Sequence, residues 1–264
     1  MSSRVLSNVF NLREKNIFIT GGSSGLGEHF ARLLASAGAP NIVLAARRKE
    51  KLNKVQEDIS NTYPSCNVVA VAMDVRSRNS ISEAFDLAEK EVGETINVLV
   101  NNAGIANPKL SLEVTEEDWD GLLNTNLRGA FFVSQEACNR MVRNNIPGQV
   151  VNVASILGLR AGTSQVNYGA AKAGLLHMSR TMAAELQRNN IRINSICPGY
   201  FESEMTEEFF NSDAGKAYLD RIPPKRLGKV EELNGPMLLL CSDACSFMTG
   251  TEIVVDLGHV NATL

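Results

Sequence analysis

Residues 16–27 read Asn-Ile-Phe-Ile-Thr-Gly-Gly-Ser-Ser-Gly-Leu-Gly, and this stretch decides the fold. Asn16–Thr20 is a short apolar run of the kind that forms a buried strand. From Gly25, the residues Leu26, Phe30, Leu33 and Leu34 recur at helical spacing as far as Ala37. Glycines join the two. Gly21 can make the tight turn, Gly25 lets backbone come close to an anion, and Gly27 lets the helix pack closely on the strand. The loop, with Ser23, Ser24 and Leu26 between its glycines, is a candidate cradle for a pyrophosphate, because free N–H groups and the positive end of the helix dipole face it. A glycine cluster alone is also what a plain strand–helix turn contains. Its place after the first strand of a βαβ unit favours a dinucleotide, although the spacing is G-x-x-x-G-x-G rather than G-x-G-x-x-G.

Outward from this unit the alternation repeats. Apolar runs at Asn41–Ala45, Asn67–Met73, Asn97–Asn101, Gln149–Val153, Ile191–Cys197 and Glu252–Asp256 read as further strands. Helical patterns begin at Lys49 and Ser80, span Thr115–Arg143 and Asn167–Arg188, and return at Val230–Leu240. Short apolar strands between amphipathic helices indicate a parallel sheet covered on both faces. The fold class expected is α/β, a single-domain Rossmann-like doubly wound parallel sheet of about seven strands with helices on both faces. No repeat or low-complexity linker divides the chain, so residues 1–264 form one domain. Only Gly199–Pro224, rich in Glu, Phe, Asp and Pro, breaks the rhythm, and it is read as an irregular substrate lid.

At 264 residues and 44% hydrophobic content the chain can bury a substantial core. Its net charge of −3 and the lack of any Lys/Arg block argue against nucleic acid as a partner. No apolar run reaches the ~20 residues that span a bilayer, so no membrane is expected. Five scattered cysteines read as free thiols in a reducing compartment, and Cys241 and Cys245 as apolar filling rather than a metal pair. No metal site is expected: His29, His177 and His259 are isolated from acids and cysteines at ligand spacing. The first eleven residues carry a faint transit-peptide character, but a short lead-in to the first strand is the stronger reading, and the cytoplasm is expected.

Two constellations carry chemistry. The second strand ends Ala45-Ala46-Arg47-Arg48, where NAD-preferring dinucleotide folds place an acid for the ribose 2′-hydroxyl. Arg47 can instead pair with a 2′-phosphate, so NADP(H) is favoured over a pair of merely solvated arginines. Tyr168 and Lys172 stand at i and i+4, on one helix face. A lysine there can hold the phenol below its ordinary pKa of about 10 and make it an acid or base near neutrality. Tyr-x-x-x-Lys is a frequent accident by itself. Ser155, at the end of a strand where ligands of open α/β sheets bind, and Asn126 in the preceding helix raise its significance.

With these residues in view, the chain resembles the short-chain dehydrogenases/reductases. The matching motifs are Thr20–Gly27, Asp74-Val75, Asn101-Asn102-Ala103-Gly104, Asn126, Ser155, Tyr168/Lys172 and Pro198-Gly199, in the family's order along nearly the whole chain. The resemblance implies that Asp74 reads the adenine amino group and that Asn102 and Gly104 help floor the cofactor site. Ser155 would bond the substrate oxygen, and Tyr168 would give or take its proton. Lys172 would hold the nicotinamide ribose and tune Tyr168, and Asn126 would hold a water through its backbone. Ser203 stands where relatives carry a threonine that bonds the nicotinamide amide, with Thr206 behind it, and Leu257 stands where many carry glycine.

The expected activity is hydride transfer between NADP(H) and a small-molecule carbonyl or secondary alcohol. A 3-oxoacyl-type ketone reductase comes first, a sugar or polyol dehydrogenase second, and an NADP(H)-binding sensor or scaffold third. The acids of the lid, Glu202, Glu204, Glu207 and Glu208, do not favour an anionic carrier. Phe209 and Phe210 read equally as pocket lining or as lid core. The two long helices carry Ala130, Ala137, Ala173, Leu176 and Met182 beyond what one core stripe needs, and relatives associate through these helices. A homo-oligomer, tetramer or dimer, is therefore expected.

Overall fold

The computed structural model describes residues 9–202, 204–223 and 225–262. β1 (Asn16–Thr20) leads into α1 (Gly25–Ser36), β2 (Asn41–Ala46) into α2 (Lys49–Thr62), and β3 (Asn67–Ala72) into α3 (Arg78–Val92). β4 (Val98–Asn101) is followed by α4 (Glu116–Leu123), a π-helical turn (Asn124–Gly129) and α5 (Ala130–Arg143). β5 (Gly148–Val153) precedes α6 (Val166–Leu186), and β6 (Ile191–Pro198) precedes α7 (Glu204–Asn211) and α8 (Asp213–Arg221). α9 (Asn234–Cys241) and β7 (Glu252–Val255) complete the order.

The seven strands form one parallel sheet in the order β3-β2-β1-β4-β5-β6-β7. Strand periodicity divides the core into two layers. Ile17, Ile19, Ile42, Leu44, Val98 and Val100 pack on one face, against Phe30 and Leu34 of α1, Leu52 and Ile59 of α2, and Met237 of α9. Phe18, Val43 and Leu99 point the other way, onto Phe85 of α3, Met141 of α5 and Met182 of α6. Phe18 and Phe85 stack with centroids 4.2 Å apart. The order reverses between β1 and β4, and the crevice opened there is where doubly wound sheets bind ligands.

Three sequence expectations change. The helix expected over 115–143 starts on a capping box, in which Thr115 Oγ1 accepts from Asp118 N and the Asp118 carboxylate accepts from Thr115 N. It then loosens into the π-helical turn that carries Asn126. The lid at 199–224 is not irregular: α7 and α8 form a helical pair, and the Ser212 hydroxyl between them accepts from Gly215 N to start α8. Acid-rich composition masked two short amphipathic helices. Third, Ala130, Ala137, Leu176 and Met182 are all buried within the single chain, so of the five residues offered for assembly only Ala173 is exposed. The exposed large apolar side chains include Leu110, Leu112, Leu159, Val166, Phe247 and Leu257. All five cysteines are buried and unbridged. Among the described residues no helix is long and apolar enough to cross a membrane.

Candidate active site

Because every strand is parallel, their C-terminal ends form one rim, and the candidate residues follow it. The glycine loop leaves β1, Arg47 leaves β2, Asp74 and Val75 follow β3, Asn102–Gly104 follow β4, Ser155 follows β5, and Pro198 and Gly199 close β6. The structure brings all of these to one edge. Ser203 lies outside the described residues, as does the side chain of Thr206.

The cradle is built by two glycines with positive φ, Gly21 (68°) and Gly25 (56°). A Cβ on Gly25 would meet nothing within 4 Å, so the loop opens on free space. A Cβ on Gly27 would collide with the Gly21 carbonyl, which is the close helix–strand approach the sequence suggests. Ser24 stands at the N-cap of α1 but its side chain caps nothing in that helix. Instead its hydroxyl accepts from Arg48 Nη2 at 3.3 Å. The first N–H groups of α1 thus keep no side-chain partner, and a guanidinium stands beside them. That donor set fits a pyrophosphate with a separate phosphate group on the adjoining ribose. Arg47 is exposed, and its charge reaches Asp74. The carboxyl of Asp74 is held below its usual range chiefly by hydrogen bonds from the Arg76 side chain, at 2.6–3.1 Å.

Sequence reasoning did not single out Thr20, yet it ties the rim together. Its Oγ1 accepts from Asn102 N and Ala103 N at 2.9 and 2.8 Å and donates to Asn101 Oδ1. Asn101 Nδ2 in turn donates to Ala130 O, Ser134 Oγ and Asn152 Oδ1. Buried polar groups on three strands are satisfied in this way and lock the crevice floor. Asn126 is buried and bonded twice to the backbone of one residue, accepting from Ile105 N at 2.9 Å and donating to Ile105 O at 2.8 Å. Its side chain is fully used in pinning the chain after Gly104 to the π-helical turn.

Tyr168 is placed by α6. Asn167 Oδ1 accepts from Tyr168 N, and Asn167 Nδ2 donates to Asp118 O, fixing the start of the helix. Gly158 lets α6 approach: a Cβ there would stand 2.9 Å from the Lys172 carbonyl carbon. Leu157 N donates to Ser155 Oγ at 3.1 Å, and the Ser155 side chain is close enough to the Tyr168 phenol to bear on its ionisation. Burial nevertheless raises the phenol above its ordinary pKa, with the Ser155 bond opposing. Burial therefore sets the direction of the shift in the free protein. Lys172 Nζ is buried, donates to Val153 O at 2.7 Å, and lies 5.5 Å from the Tyr168 ring centroid. Burial pushes its own pKa down to about 8.

A glycine cradle, a serine–tyrosine–lysine set above the sheet edge and a floor of polar side chains now stand together, and comparison with known proteins agrees. A family model described as enoyl-(acyl carrier protein) reductase matches residues 21–259. The chain belongs to the short-chain dehydrogenase/reductase family. A relative within that family, the 3-oxoacyl-[acyl-carrier-protein] reductase of Aquifex aeolicus, is 35% identical over 250 residues, 95% of this chain and 97% of the relative. A short-chain type dehydrogenase/reductase from Mycobacterium marinum superposes with a TM-score of 0.89 at 33% identity, covering 96% of this chain and 98% of the other. A gluconate 5-dehydrogenase from Burkholderia cenocepacia J2315, solved in complex with NADP and tartrate, gives 0.91 at 31% identity, covering 98% and 100%. As a short-chain dehydrogenase/reductase the protein is an oxidoreductase acting on alcohol and ketone groups, which sets aside the sensor and scaffold readings.

The structure also assembles what the sequence left scattered. Tyr200, Phe210, Tyr218 and His259 form one aromatic cluster beneath α7 and α8, next to a cavity of about 440 Å³ lined by Ile222, Arg226 and Val255 among others. Phe210 is buried there while Phe209 is half exposed, which separates the two residues that the sequence left equivalent. His259 is buried rather than a surface histidine. The only sequence signal was the aromatic content of the segment.

Proposed function

We propose that the protein is an NADP(H)-dependent reductase that interconverts a small-molecule ketone and its secondary alcohol, with Tyr168 as the acid and base. The observation that carries this reading is the convergence of Ser155, after β5, with Tyr168 and Lys172 of α6 at the rim of the crevice, where Lys172 Nζ lies 5.5 Å from the Tyr168 ring centroid and bonds Val153 O.

The residues of the cradle, Gly21, Ser23, Ser24, Gly25, Leu26 and Gly27, would hold the pyrophosphate, and Arg47 with Arg48 the 2′-phosphate. Asp74 and Val75 would take the adenine; Asn102, Ala103 and Gly104 the floor; Pro198, Gly199 and Ser203 the nicotinamide end. The bound cofactor supplies or accepts the hydride. As negative charge grows on the substrate oxygen, Ser155 and Tyr168 meet it as two preplaced donors. Tyr168, a protonated phenol through the neutral range, gives its proton to that oxygen; in the reverse direction the phenolate takes it back. Lys172 stabilises the phenolate by its charge and bonds the ribose hydroxyls. The Asn126 side chain, fixed to Ile105, leaves its backbone to hold a water in line with Lys172. The helical pair at 199–224 closes over the substrate.

Two substrate classes remain. The 3-oxoacyl class is supported by the Aquifex relative's name. The sugar and polyol class is supported by the name of the Burkholderia gluconate 5-dehydrogenase and by the hydroxyl-bearing rings of Tyr200 and Tyr218, with centroids 5.6 Å apart, of which Tyr200 lines the cavity.

The test is Tyr168→Phe, which keeps the ring and removes the hydroxyl. With NADPH and a panel of ketones, turnover should fall by about 10²–10⁴-fold, with NADPH affinity near that of the wild type. Ser155→Ala should lose turnover similarly, and Lys172→Ala both turnover and affinity. A Tyr168→Phe enzyme that kept most of its activity would refute the assignment.

A further inference from the structure

The segment between β6 and α9 has a pinned base, a stiff arm and a polar fastening. At the base, Gly228 N donates to Tyr200 O at 2.9 Å and Glu202 N donates to Gly228 O at 3.0 Å, so the two ends of the segment lie side by side. The arm is the pair α7 and α8. A Cβ on Gly215 would collide with the Phe209 main chain, so the two helices meet backbone against backbone and move as one body. Among the described residues they pack more on each other than on any strand or helix of the sheet.

The fastening is Tyr218 of α8. Its Oη lies 3.2 Å from Nε2 of His259, in the 3₁₀ turn after β7. A phenol can donate or accept, and Nε2 does one or the other, so the bond forms with either imidazole tautomer. The rings of Tyr218 and His259 also meet edge to face, with centroids 5.9 Å apart. His259 is itself buried and firmly held. The Asp256 carboxylate accepts from Gly258 N and Val260 N on either side of it, at 2.8 and 2.5 Å. The His259 carbonyl accepts from Arg160 Nη1 at 2.6 Å. Arg160 belongs to the turn that Ser155 opens: Ser155 Oγ accepts from Leu157 N, and Arg160 N donates to Ile156 O at 2.9 Å. One residue thus touches the arm with its ring and the serine turn with its main chain.

We propose that His259 is a positioning residue for the reaction: its ring latches α8 through Tyr218, and its carbonyl ties that latch to the Ser155 turn through Arg160, so that the helical pair closes in register with Ser155. The assignment rests on the reading of Ser155 as a donor to the substrate oxygen and of the helical pair as the cover of the substrate. A closed cover that is less populated weakens apparent substrate binding, whereas the cradle on α1 is untouched.

The experiment reads hydrogen exchange across residues 204–221 and, separately, steady-state rates with NADPH. The probe ketones are ethyl acetoacetate and dihydroxyacetone, one for each substrate class. Tyr218→Phe keeps the ring and removes the bond. Exchange in α7 and α8 should quicken roughly fivefold, the effect of one neutral hydrogen bond, with β1 and β4 at the wild-type rate. His259→Leu should do the same, and the double variant should add nothing, because both remove one bond. His259→Gln, which can still donate or accept near the Nε2 position, should stay close to wild type. Arg160→Met, which removes the donor to His259 and keeps the stem, should also quicken exchange in α8; a merely local role would leave it unchanged. In Tyr218→Phe the KM for the better probe should rise severalfold, with kcat within twofold and NADPH affinity unchanged. Wild-type exchange of α7 and α8 in Tyr218→Phe overturns the latch, and wild-type exchange of α8 in Arg160→Met overturns its tie to the serine turn. Faster exchange with an unchanged KM overturns the positioning role. Wild-type enzyme that reduces neither probe overturns the proposed reaction and the positioning role together, and the exchange measurements then decide the latch by themselves.

Discussion

Arg47 and Arg48 leave β2 side by side, and the structure gives them different neighbours. Arg48 bonds Ser24 in the cradle, while Arg47 is solvated and faces the Asp74 carboxylate. Both can close on a 2′-phosphate, and neither has a carboxylate from the end of β2 to oppose it. Arg47→Ala should raise the dissociation constant of NADPH by the loss of one charge-assisted contact, about 1.5–3 kcal/mol, with far less effect on NADH. Adding Arg48→Ala should deepen the loss in NADPH alone. Titration of each variant with both cofactors checks this, and equal weakening of the two would disprove the phosphate assignment. At this scale the sequence is informative because the chemistry of a guanidinium or a phenol belongs to the residue. The pKa values do not: Tyr168 and Lys172 are displaced mainly by burial, which no spacing rule contains.

At the scale of elements, the proposed catalysis depends on where α6 lies. Gly158 sits in the turn after Ser155, and α6 crosses it with backbone against backbone. In Gly158→Ala, the new Cβ would stand 3.0 Å from the Lys172 carbonyl oxygen, and main chain cannot swing aside as a side chain can. The helix must shift, and Tyr168 shifts with it. Turnover should fall on the order of 10²-fold, as a displacement near 1 Å can cost. The thermal midpoint should also drop, by overpacking of about 1–3 kcal/mol, while the cradle on α1 should still bind NADPH. Full turnover in this variant would show that the helix has room the contact denies. Element existence was legible from the alternation of strands and helices, because strand and helix periods differ. The π-helical turn at Asn124–Gly129 and the helices α7 and α8 were not, since the first keeps a helical pattern and the second are short and acid-rich.

At the scale of the molecule, assembly is the open expectation, and its basis has moved. The small residues on α5 and α6 are used within the chain, whereas Leu110, Leu112 and Val166 stand exposed near Trp119 at the start of α4 and α6. A second copy of the chain could cover such exposed apolar groups. Light scattering at micromolar concentration should report a multiple of 28.7 kDa, and Leu112→Asp with Val166→Asp should shift it toward the monomer. A wild-type protein of monomer mass would contradict the expectation. The doubly wound sheet was legible in the sequence alone, because it rests on local periodicity, and the same reading singled out the glycine loop and Ser155, Tyr168 and Lys172 as candidates by residue type and order along the chain. Tertiary structure alone decided which polar groups meet, from Thr20 with Asn101 to Tyr218 with His259. Those partners lie tens of residues apart, and only the packing of the sheet and lid sets the distance and burial on which a hydrogen bond and a pKa depend.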